Sequence, residues 1–296
     1  MSAYVLPVGG AIFTWWALTG VILYLDGRSA RTFPASMAAT TLVLGASLWG
    51  LNATAGEATV RGAYLAFVAA LGVWGWIELS FLTGFITGPR KRACPAGCTG
   101  ARHFGHAVAA ILYHEIAILI GAGAVLALTW RGANPYGAWT FLLLWAMRTS
   151  AKLNLFMGVP NHGGQYLPAH LKYLQSYFRN APMNLLFPVI VSAGTILAVG
   201  WGREALAADA DPFHATGYAL LATLLALAVL EHWFLVLPMP SEALWRFGLH
   251  EKTSPARPAH PVVEPYRLFD VAPPPNELVR ADAGAPARAQ RRGDGR

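Results

Sequence analysis

The sequence predicts an all-α, polytopic membrane protein with about seven transmembrane helices, its N-terminus outside and its C-terminus in the cytoplasm. Three observations carry that expectation. Of 296 residues 55% are hydrophobic and only 12% charged, a balance that a water-facing surface does not tolerate. The apolar residues come in runs of about 20, the length that crosses a ~30 Å hydrocarbon core. The cations fall unequally between alternate loops. The net charge of +7 does not point to nucleic acid, because the cations lie in particular loops and in the C-terminal tail rather than along an aromatic-rich face.

The spans are expected at 5–25, 33–53, 63–87, 104–129, 136–157, 183–201 and 213–237, within a transmembrane domain covering 1–240. The first is uncharged. The second is rich in Ala, Gly and Thr, small residues that let membrane helices approach closely. The third carries one carboxylate, Glu78, and leaves through Gly88-Pro89 into Arg90-Lys91-Arg92. Pro89 cannot continue a helix. The fourth contains LYHEIAIL, and the fifth holds Arg148 and Lys152. The sixth carries no charged residue, and the seventh ends with Glu231-His232 ahead of Pro238. Leu167 to Asn180 places Leu167, Leu171, Leu174 and Phe178 at helical spacing, which predicts an amphipathic helix lying in the interface. The tail, 241–296, is rich in Pro and Arg and is expected to be largely disordered and cytoplasmic. The N-terminus has no basic stretch ahead of its first apolar run, so no cleaved signal peptide is expected.

Orientation follows from the loops. Those after spans one, three and five hold Arg28, Arg31, Arg90, Lys91, Arg92, Arg102, Lys172 and Arg179. The opposite loops hold only Arg61, Arg131 and Arg203. The positive-inside rule then sets the first group in the cytoplasm.

Ionisable residues inside a membrane are costly and are functional candidates by default. Counted from the expected cytoplasmic ends, Glu78, His114, Glu115, Arg148, Glu231 and His232 fall in one layer about 9–16 Å deep at 1.5 Å per residue. Three readings stay open. Arg148 and Lys152 can neutralise carboxylates in a structural ion-pair layer, making the protein a scaffold. Glu78, His114, Glu115, Glu231 and His232 can supply a transition-metal site resembling a di-iron centre, as in a membrane metalloenzyme acting on a lipid-soluble pigment precursor. The adjacency of Glu and His at 114–115 and 231–232 departs from the Glu-x-x-His pattern of such sites. His106 or His114 can ligate a tetrapyrrole such as bacteriochlorophyll, or a metal. His103, His106 and His114 share one helical stripe. Ion transport is disfavoured, since no inverted repeat or broken helix pair is visible. Cys94 and Cys98 lack the spacing of a redox CxxC motif and have no second pair for zinc, so reduced loop cysteines are expected. The segment 158–164, with Asn161 and His162, reads as a turn-rich connection. No reaction is assigned by these patterns.

The blocks IELSFLTGFITGPRKRACP, ILYHEIAIL, WTFLLLWAMRTSAKLNLFMGVPN, LPAHLKYLQSYF and MNLLFPV occur in that order between Glu78 and Leu237. Together they resemble the PuhE-type photosynthetic complex assembly proteins of purple phototrophic bacteria. The resemblance implies a multi-pass protein of the bacterial inner (intracytoplasmic) membrane that supports assembly of reaction-centre and light-harvesting complexes. Bacteriochlorophyll supply is a route, and antenna or reaction-centre subunits or pigment-synthesis enzymes are partners. It implies no catalytic or ligand residues.

Overall fold

The computed structural model describes residues 2–164 and 167–237. The tail from 241 onward lies outside the described residues. Seven long α-helices follow in order: α1 (Ser2–Asp26), α2 (Phe33–Thr54), α3 (Val60–Leu82), α4 (Gly100–Thr129), α5 (Tyr136–Met157), α6 (Leu186–Ala205) and α7 (Pro212–Val236). All but α5 are long and apolar enough to cross a membrane. Arg148 and Lys152 are what lower the apolar character of α5, although its 22 residues match the required length. The protein is an all-α polytopic membrane protein.

Helix α3 is the axis of the bundle. Its sequence is apolar on every side and rich in Ala and Gly, the pattern of a helix surrounded by others. It packs against α1, α2, α4, α5 and α7, whereas α6 leans mainly on α7. Small residues allow the close approaches. At Gly217 a Cβ would lie 2.0–2.2 Å from the Tyr136 ring, so α7 meets α5 there with no side chain between. Leu220, Leu221, Leu224 and Leu225 of α7, with Phe67 and Leu71 of α3, fill the interior beside it.

Helix starts follow local chemistry. The Thr59 hydroxyl accepts from the Gly62 N–H at 3.0 Å, and Asp211 accepts from Phe213 and His214 ahead of α7, with Pro212 in its first turn. Asn184 does the same for α6: its Oδ1 accepts from the Leu186 and Phe187 N–H groups. Its Nδ2 reaches back to Asn154 Oδ1 at 2.9 Å and the Gly158 carbonyl at 2.9 Å.

The connections sort into two ends. Asn134 N–H donates to the Ala55 carbonyl and the Tyr136 hydroxyl meets His214 Nδ1, joining the loops after α2, α4 and α6. At the opposite end His170 Nε2 meets the Leu82 carbonyl, and Phe33 lies 6.1 Å from the His170 ring. Arg90 Nε donates to the Tyr177 hydroxyl at 2.8 Å, and Asn161 bonds the end of α7. The second end is the basic one.

Beyond shifts of a few residues at helix ends, two elements differ from expectation. Helix α3 ends at Leu82 rather than Thr87. Residues 83–90 instead run irregularly against α4, where the Thr87 carbonyl accepts from the His114 N–H at 2.9 Å. Gly88 makes this possible, since a Cβ there would sit 2.3 Å from the Ala109 carbonyl oxygen. Irregular backbone at such depth is tolerated because it is buried in protein. The amphipathic segment is a 3-10 helix, Ala169–Tyr177, not an α-helix. It still buries Leu171, Leu174 and Tyr177 against Phe81 and Ala110.

Candidate functional site

The polar layer forms near the basic end of the bundle. Because α3 stops early, Glu78 sits about one turn from its C-terminus rather than deep within a longer helix. Its Oε2 accepts from Arg148 Nη2 at 3.0 Å, and its Oε1 faces His114 Nε2 at 3.9 Å. That second gap exceeds a hydrogen bond. Glu78 Oε1 and both ring nitrogens of His114 are therefore buried without a partner. His114 is 1% exposed, and its ring lies 4.4 Å from that of Phe81. A tetrapyrrole reaches its nitrogens only if the residues that bury this ring move.

The other members are separated. Glu115, about 100° round α4 from His114, is hydrogen-bonded to Lys152 of α5. Glu231 Oε1 accepts from Trp15 Nε1 of α1 at 2.9 Å. His232 is engaged through both nitrogens. Nδ1 faces the Ala228 carbonyl at 2.8 Å, which only accepts, so Nδ1 carries a proton. In the neutral ring Nε2 then accepts from Ser150 Oγ at 2.6 Å. Glu78, Arg148 and His114 thus form one unit, Glu115 and Lys152 a second, and His232 and Ser150 a third. In the first two, each cation offsets the charge of a carboxylate held among apolar helices.

His106 lies elsewhere, beyond the end of α3, with its Nδ1 turned toward Cys94 and Cys98. Among the described residues, these three are the group of metal-ligating side chains whose donor atoms all lie within 4.8 Å of one another. Desolvation and the neighbouring Cys98 thiol hold the Cys94 thiol above its ordinary range, against the pull of Arg90 and Arg102.

Between α5, α6 and α7 runs an apolar groove of about 480 Å³, bounded by Trp139, Met147, Ile190, Gly194, Trp201 and Leu225. A second hollow of about 360 Å³ shares Ala146, Ser150 and Ile190 with it and extends it toward Leu186. Asn184 ties α6 to α5 beyond one end of the groove, and Trp139 and Trp201 stack across the other with ring centroids 6.4 Å apart. The groove opens outward on the apolar perimeter, with the Ser150 of the Ser150–His232 pair in its wall. Sequence patterns did not single out this groove or the Asn154–Asn184 pair.

A family described as a protein of unknown function (DUF3623) matches residues 1–256. The chain belongs to that family. It is also 41% identical over 260 residues to a Rhodobacter capsulatus protein described as an uncharacterized 30.4 kDa protein in the puhA 5′ region. The match covers 86% of this chain and 93% of that one. No solved structure matches the chain significantly.

Proposed function

We propose that this protein is a factor of the bacterial inner (intracytoplasmic) membrane that supports assembly of photosynthetic reaction-centre and light-harvesting complexes, through handling of bacteriochlorophyll or of the subunits that receive it. The observation that carries the reading is the similar Rhodobacter capsulatus protein in the puhA 5′ region, alike over nearly its whole length. The sequence blocks from Glu78 to Leu237 agree with it. The lateral groove between α5 and α6 adds a physical means. It is apolar, open to the perimeter and within the size range of small-molecule sites, so a lipid-soluble pigment tail can enter from the bilayer. The basic end of the bundle, carrying Arg28, Arg90, Lys91, Arg92 and Arg179, is assigned to the cytoplasm, with the N-terminus outside.

Deletion of the gene in a phototrophic bacterium that carries it tests the reading. Reaction-centre and antenna absorbance per cell should fall and return on complementation. Unchanged absorbance overturns it.

A second reading, a scaffold with no ligand in its polar layer, is favoured by the Glu78–Arg148 and Glu115–Lys152 pairs. It requires that Glu78→Gln complement a deletion fully.

A further inference from the structure

The connection between α3 and α4 gathers two thiols and two imidazoles. Cys94 and Cys98 flank a turn at Pro95-Ala96-Gly97, closed by the Cys98 N–H donating to the Pro95 carbonyl at 3.2 Å. The chain then enters α4 at Gly100. His103 and His106 occupy its first two turns, three residues apart and hence on one face. His106 Nδ1 lies 3.6 Å from Cys94 Sγ and 3.3 Å from Cys98 Sγ. His103 Nδ1 lies 3.2 Å from Cys94 Sγ.

These distances match a metal better than a hydrogen-bonded cluster. A neutral Nδ1 has one lone pair, or one proton, and cannot serve two sulfurs equally. An ion between them serves both. Tetrahedral zinc, with Zn–S of about 2.3 Å and Zn–N of about 2.0–2.1 Å, separates its sulfur and nitrogen ligands by roughly 3.5 Å. We propose that Cys94, Cys98 and His106 bind one zinc ion, with His103 held against Cys94 beside them. The ligand spacing C-x3-C-x7-H is compact because the second cysteine lies just ahead of the helix that carries the histidine.

Charge fits as well. Arg90 and Arg102 stand near Cys94, which disfavours a bare dication. Two thiolates cancel the charge of Zn²⁺, and binding releases the two thiol protons to water with no change of oxidation state. Two thiolates with an imidazole favour zinc among common divalent ions, with a fourth, non-protein ligand completing the tetrahedron. Its consequence is positional. The Cys94 N–H donates to Ser176 Oγ at 2.9 Å, and the Tyr177 hydroxyl donates to the Arg92 carbonyl at 2.8 Å. His103 stacks on Phe156 of α5 with ring centroids 5.3 Å apart. Zinc therefore fastens the basic α3–α4 loop to the 3-10 helix and to the foot of α5.

The full chain, purified in detergent with a histidine-free affinity tag from zinc-supplemented cells, should carry about one zinc per chain by elemental analysis. Cys94→Ser/Cys98→Ser should reduce this about tenfold with helical circular dichroism unchanged. If that variant fails to accumulate, the reduced, metal-stripped wild-type chain decides the matter. Added Co²⁺ should give tetrahedral visible bands and thiolate charge-transfer absorption saturating near one equivalent. Wild-type protein without bound zinc and without the cobalt spectrum overturns the proposal. So does zinc retained by the double variant, or a Cys94–Cys98 disulfide in the freshly purified chain.

Discussion

Arg148 Nη2 lies 3.0 Å from Glu78 Oε2, and this contact ties α5 to the central helix α3. The two ends are unequal. Only 10% of the Glu78 side chain is accessible, against 40% of the Arg148 side chain. Removing the cation strands a buried carboxylate, while removing the carboxylate leaves a guanidinium that can turn toward the interface. Arg148→Ala should therefore cost more than Glu78→Gln. The coupling between them in a double-mutant cycle should be about 1–2 kcal/mol, below that of a fully buried pair. Detergent-solubilised thermal unfolding of the four proteins measures it, and additive effects would exclude a coupled pair.

Glu115 and Lys152 form an independent pair between α4 and α5. Either single reversal, Glu115→Lys or Lys152→Glu, places like charges together in an apolar setting. Each should sharply lower the amount of protein recovered from membranes. The exchanged double variant should recover much of that loss, because the attraction is restored with its sense reversed. Recovery no better than that of the worse single variant would mean the two side chains act separately. A metal ligand at Glu115 would not be rescued in this way.

Helix positions were legible because about 20 consecutive apolar residues have few other uses. Counting along helices was enough to mark Glu78, His114, Arg148 and Glu231 as polar groups within apolar runs. How they pair did not follow, because lateral rotation depends on which neighbours each helix meets. The early end of α3 was hidden for a related reason. Thr83 to Thr87 is apolar enough to read as more helix, and only the fit of Gly88 against Ala109 shows why the chain turns aside. Cys94 and Cys98 looked isolated for want of a second cysteine pair. Their partners are histidines on the next helix. The role of Asn184 was obscured by its position: it precedes the apolar run like any capping residue, but its link to Asn154 crosses about 30 residues of chain.

Gly217 tests the packing of α7 on α5 without touching a charge. Gly217→Ala adds a Cβ that overlaps the Tyr136 ring, and the ring is boxed in by Phe213, Tyr218 and Trp139. The cost should be about 1–3 kcal/mol, the range for overpacking a filled core. Tyr136→Leu in the same chain should relieve part of it, at the expense of the bond to His214. A Gly217→Ala chain as stable as the original would show that α7 shifts freely, against the close approach seen here.

The groove separates binding from mere integrity. Ala193 of α6 lines it and carries no structural hydrogen bond through its side chain. Ala193→Trp adds an indole where space already exists, so it should fill the opening between α5 and α6 while leaving the Glu78–Arg148 unit and the α6–α7 contact intact. Abundance in membranes and thermal stability should stay within about 0.5 kcal/mol of the original. If an apolar ligand enters there, complementation of a deletion strain should fall several-fold in reaction-centre absorbance. Full complementation by an abundant Ala193→Trp protein would remove the groove from the mechanism and shift attention to the basic end. A stable protein that fails to complement would tie function to this space, since neither charge nor fold would have changed.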